Sequence, residues 1–129
     1  MRRVTRGIAL MALLGVGGCT VPVVFTVATV MPAIDVHQCV VEGLVENGFR
    51  VVESRREDGI VKSERQGDFL GFPDPGELDI IDVVIYERAD GRTGIQYTAG
   101  RLILDEGKLE GPEEQVEAIA DRVAQRCGD

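Results

Sequence analysis

Residues 78–87 read LDIIDVVIYE, and this run decides the fold. Ile81, Val83 and Ile85 share one parity, while Ile80, Asp82, Val84 and Tyr86 share the other. A β-strand sends successive side chains to opposite faces, so the run reads as a strand with one apolar and one mixed face. Asp90-Gly91 follows as a hairpin turn, and residues 93–104 return as the partner strand. The apolar phase of that partner shifts near Gly100, from Ile95, Tyr97 and Ala99 to Leu102 and Leu104, which predicts a bulge or bend.

Upstream, residues 66–77 hold Gly67, Gly71, Pro73, Pro75 and Gly76 and read as a loop. Residues 60–65 and 49–54 read as a strand pair joined at the tight-turn signal Asp58-Gly59. Before them, Val36, Cys39, Val40, Gly43 and Leu44 recur at helical spacing. Asp35 is the expected N-cap with Gln38 as its capping-box partner, and Asn47-Gly48 is the stop. Val21 to Val30 is rich in Val and Thr, which suits a strand buried on both faces; an extended tether is the rival reading. Downstream of a turn-rich stretch, Pro112 opens a second helix whose stripe is Val116, Ile119, Ala120, Val123 and Cys127.

The order β-α-β-β-β-β-α implies an α+β domain: one mostly antiparallel sheet of four to five strands with two helices packed on one face. The other face is expected to be polar. Arg50, Arg55, Lys62, Arg65, Arg88 and Arg101 interleave there with Glu53, Glu64 and Glu87, as cross-strand ion pairs or as a polar binding surface.

The chain has 129 residues, which fits one domain behind a short targeting segment. Aromatic content is 5%, with no Trp, so Val and Ile must fill a thin core that benefits from a covalent staple. The formal charge is −8. Without Arg2, Arg3 and Arg6, eleven basic residues face 22 acidic ones, a net charge of −11. Such a surface repels nucleic acid and gains nothing from anionic lipid head groups.

The first nineteen residues read MRRVTRGIALMALLGVGGC: a basic start, an apolar run from Ile8 to Val16, then small residues and a cysteine. That is the order of a secretory signal. Val16-Gly17-Gly18-Cys19 resembles the lipobox of bacterial prolipoproteins. The resemblance implies a signal peptide over residues 1–18 and a mature chain, 19–129, with diacylglycerol and an acyl chain such as palmitate on Cys19. Two or more buried acyl chains hold a protein stably on a membrane. Thr20 stands where many bacteria read Asp as an inner-membrane retention signal, so the resemblance implies the periplasmic side of an outer membrane where one exists. The alternative is an uncleaved membrane helix, because no charge occurs between Gly7 and Ile34.

Assigning Cys19 to lipid leaves Cys39 and Cys127, each on the apolar stripe of its helix. Helices side by side on the sheet would let the sulfurs meet in a disulfide, which an oxidising compartment permits. Two buried free thiols are the alternative. One His and no CxxC spacing give no zinc site, and no cofactor motif is present.

A catalytic set is missing. His37 reads as a surface residue near a helix start, and Ser54 and Ser63 lie on strands without a nucleophile-elbow context. Asp79 and Asp82 fall on opposite strand faces, and no calcium-loop spacing exists. The stretch FLGFPDPG places Phe69, Leu70 and Phe72 within four residues. Either this loop folds back to cap the core, or it is an exposed apolar anchor for a partner or lipid surface.

The element order also resembles the helix-grip domains of small outer-membrane lipoproteins, in architecture only and without a shared motif. The resemblance implies a non-enzymatic role in envelope assembly or scaffolding. The first expectation is therefore a lipid-anchored binding or interaction module of the cell envelope with an envelope-protein partner. The alternative is a small-molecule or lipid carrier using the gap between helices and sheet.

Overall fold

The computed structural model describes residues 21–69 and 72–128. The expected signal peptide, the expected lipidation site Cys19, and Leu70 lie outside these residues. The elements are β1 (Val23–Thr29), α1 (Ala33–Glu46), β2 (Arg50–Arg55), β3 (Ile60–Phe69), β4 (Phe72–Glu87), β5 (Thr93–Ile103), β6 (Lys108–Glu110) and α2 (Glu114–Gly128). All pairings are antiparallel, in the order β1-β5-β4-β3-β2, and β6 pairs with β5 beyond the start of β1. The architecture is α+β, with α1 over β2, β3 and β4, and α2 over β1 and β5.

Alternation explains the core. Val61 and Ser63 of β3, Ile81, Val83 and Ile85 of β4, and Ile95, Tyr97 and Ala99 of β5 all point to the helix side and are buried. The α2 stripe closes over them, with Val116, Ile119, Ala120, Val123, Ala124 and Cys127 buried. Phe25 stacks on Tyr97 across the β1–β5 pair, ring centroids 5.1 Å apart, which gives a core poor in aromatics a large flat contact. Helix α1 approaches α2 closely because Gly43 carries no side chain; a Cβ there would lie 3.2 Å from Val123 Cγ2.

Several sequence expectations change. Residues 23–29 are a strand and not a tether, but only Phe25, Val27 and Thr29 are buried; Val24 is exposed, so the strand is not buried on both faces. Helix α1 begins at Ala33, with Pro32 as its N-cap and no side-chain cap. Asp35 therefore lies in the first turn, and the amide of Gln38 donates to Glu42 (3.3 Å); the capping box does not form. The pairing of β5 with β4 runs unbroken through Gly100, so no bulge forms there. Irregularities fall instead in β2, between Val51 and Glu53, and between Gln66 and Gly67 of β3.

The largest change concerns residues 66–77. They are not a loop but the end of a β-ribbon, with Gly67 opposite Asp74, Asp68 opposite Pro73 and Phe69 opposite Phe72. The prolines are tolerated because this part of β4 is an edge: β5 pairing ends at Glu77–Ile103, so the missing N–H groups break no ladder on that side. On the other side β2 begins only at Arg50–Glu64. Beyond those limits β3 and β4 run on as a two-stranded arm.

Candidate functional site

Four features bear on function: the arm, a charged row at its base, a buried histidine–serine contact, and the cysteine pair. At the arm's end Phe72 is 74% exposed. Phe69 pairs with it in register, which places both at the extremity of the ribbon. Of the three residues expected in the apolar cluster, Phe72 is in the open, the backbone of Phe69 is placed beside it, and Leu70 falls outside the described residues.

At the base of the arm, the register aligns Arg65, Asp79 and Arg101 across β3, β4 and β5. These residues share the parity of Ser63, Ile81 and Ala99, so they face the helix side and not the outer sheet face. Arg65 and Arg101 are therefore not on the outer face with the other strand cations, contrary to the reading from composition. Asp79 is 3% exposed; the Arg65 guanidinium donates to its Oδ2 at 3.2 Å and stacks 4.9 Å above the Phe49 ring. Arg101 reaches Glu77 at 3.5 Å and Glu113 at 3.8 Å. Burial raises the Asp79 carboxyl above its ordinary value, against the opposing pull of Arg65. These ion pairs fasten the arm's root to the domain, although Asp79 Oδ1 and Arg101 Nε have no hydrogen-bond partner among the described residues. The row offers no free cation to an incoming anion.

The outer face is mixed, not simply polar. Arg50–Glu64 (2.6 Å), Arg55–Glu53 (2.7 Å) and Lys62–Glu53 (3.9 Å) pair there as expected. Val24, Val84 and Tyr86 are also exposed. Tyr86 lies across Gly94, where a Cβ would come within 2.4 Å of its ring. Asp82 is half-buried between Ile80 and Val84, and burial raises its carboxyl too.

His37 is buried, not on the surface. It continues the face of Val40 and Leu44 at i, i+3 and i+7, and its Nε2 lies 2.7 Å from Ser54 Oγ of β2. Burial lowers the imidazole below its ordinary value, and the Arg56 charge adds to this. Nδ1 has no hydrogen-bond partner among the described residues, so the contact lacks the third group that orients a catalytic base. Residues 17 apart on a helix and a strand obey no spacing rule, which is why the contact was not readable in advance. The interior position of Asp79, by contrast, was implicit in its parity with Ile81 and Val83.

Cys39 and Cys127 lie at disulfide distance, with sulfurs 2.15 Å and Cα atoms 5.7 Å apart. They join α1 to α2, as the two stripes predicted. A groove of about 410 Å³ opens where β2 begins, lined by Gly48, Arg50, Glu64, Arg65, Gln66, Pro75 and Leu78. It sits at the sheet edge beside the arm, whereas buried side chains fill the interface between helices and sheet. Among the described residues no cluster of three His, Cys, Asp or Glu side chains could hold a metal, and no helix is long and apolar enough to cross a membrane. No family model matches this sequence, and no curated protein matches it.

Proposed function

We propose that this chain is a lipid-anchored lipoprotein of the cell envelope that acts without catalysis, as an interaction module whose contact element is the β3–β4 arm. The observation that carries the reading is Phe72, a large apolar side chain left in water at the end of a ribbon rooted by ion pairs. Removing such a side chain costs the fold little, so stability alone gives no reason for an aromatic residue there. The cysteine pair supports a compartment that tolerates disulfides. The lipobox-like Val16-Gly17-Gly18-Cys19 supports attachment by lipid on Cys19, at the periplasmic side of the outer membrane where one exists. Envelope proteins are the expected neighbours of the anchored domain, and its acidic balance disfavours nucleic acid.

Two substitutions test the two halves of this reading. In cells fed a clickable palmitate analogue, the wild-type chain is expected to be labelled and to sediment with membranes, and Cys19→Ala to do neither. Equal labelling of both overturns the anchor. Phe72→Ser is expected to leave the thermal midpoint unchanged and to alter the crosslinks formed by the arm. A lowered midpoint with unchanged crosslinks overturns the contact role and makes the arm a cap on the core.

A further inference from the structure

We infer that the tip of the β3–β4 arm is a second membrane contact: Phe72 enters the interfacial layer of the same bilayer that holds the lipid on Cys19. The inference rests on the lipoprotein reading above and narrows it: the partner of the contact residue Phe72 is the bilayer itself, from the direction in which the arm points. β4 and β1 run the same way, because each is antiparallel to β5. The start of β4, at Phe72, and the start of β1, at Val23, therefore lie at one end of the sheet. A chain tethered just before β1 is tethered at the end from which the arm projects.

Reach decides whether the tip arrives at the membrane. Val23 is level with Ala99, Ile81 and Ser63 across the sheet. From Ser63 to Phe69, β3 advances six residues, and at ~3.3 Å each the arm extends ~20 Å past that level. From Cys19 to Val23 the chain has four residues, which span at most ~14 Å fully extended. With the strands upright on the bilayer, the arm thus outreaches the tether by ~6 Å, the depth at which apolar side chains sit in the interfacial layer.

The chemistry at the tip agrees. Phe72 is exposed and aromatic. In register just behind it stands Asp74, opposite Gly67, which favours the head-group level and so limits the depth. The acidic surface gives no general attraction to lipid, so the contact depends on the tether holding the tip at high local concentration and on apolar burial. The two contacts together would fix the tilt of the domain and turn the opposite end of the sheet, with Val30 84% exposed, away from the membrane.

The test uses the lipidated full chain in phosphatidylcholine vesicles. The sequence has no Trp, so Phe72→Trp is a unique fluorescence reporter and Val30→Trp its distal control. With lipids brominated near the head group, F72W is expected to shift to the blue and to be quenched severalfold more than V30W. An F72W chain that floats with the vesicles yet keeps solvent-like emission overturns the tip contact and leaves the anchor standing. Failure to float overturns the anchor and the tip contact with it. An F72W reporter shielded by envelope extract but not by protein-free vesicles overturns the inference in favour of a protein partner.

Discussion

The imidazole of His37 sits where a charge is unwelcome. It is 3% exposed, packed in line with Val40 and Leu44, and faced by Arg56, while Ser54 Oγ lies 2.7 Å from Nε2. Burial first, and the arginine second, hold its pKa below the ordinary 6.5. The unfolded chain consequently takes up a proton before the folded one does. The stabilising contribution of neutral His37 is complete above pH 6.5 and is lost as the pH falls from there through the lowered folded value. Asp79 and Asp82 slope the other way, because their carboxyls are raised and the folded state protonates first on acidification. Comparison with His37→Gln isolates the histidine, the only one in the chain. Urea midpoints of the wild type are expected to fall more steeply between neutral and mildly acid pH than those of the variant. Parallel curves would mean that His37 is protonated as easily in the folded domain as in the unfolded chain.

Helix α1 shows how a local signal can be right in substance and displaced in position. Asp35 reads as an N-cap, yet Pro32, extended at φ −59° and ψ 147°, starts the helix three residues earlier and accepts from the amides of Asp35 and Val36. Asp35 is left in the first turn as a partner of the helix dipole. The two roles separate experimentally. Asn is as good a cap as Asp but carries no charge, so Asp35→Asn is expected to cost about 0.3–1 kcal/mol at low salt and almost nothing at high salt. A salt-independent loss, or none at all, would count against the dipole role. Elements whose periodicity covers a whole face, such as β4 and α2, were legible because burial enforces the pattern at every second or third residue. The arm was not, since Gly67, Pro73, Pro75 and Gly76 are loop formers by local propensity, and only the edge position of both strands lets them pair. The charged row was half legible: parity places Asp79 inside, but only the register reveals that Arg65 and Arg101 flank it.

At the scale of the whole molecule, the helix layer and the sheet layer are each continuous, and the cysteine pair ties the helix layer at the contact of α1 with α2. Gly43, one turn after Cys39, lets Val123, one turn before Cys127, come close enough for the two sulfurs to meet. The linked residues are 88 apart in sequence, so the bond closes most of the folded chain into one loop. The chain-entropy argument gives such a loop roughly 4.5 kcal/mol, by restricting the unfolded ensemble. That is a large share of the 5–15 kcal/mol typical of a small domain, and among the described residues this core has one aromatic stack and few large side chains to offset its loss. Reduction, or the double change Cys39→Ala with Cys127→Ala, is therefore expected to lower unfolding free energy by about 2–5 kcal/mol. The arm, rooted by Arg65–Asp79 and Arg101–Glu77 on the sheet, should be unaffected as long as the domain stays folded. Urea unfolding with and without reductant, read alongside F72W fluorescence at zero urea, checks both statements. A stability insensitive to reductant would show that the two thiols are unlinked, and would remove the main support for an oxidising compartment.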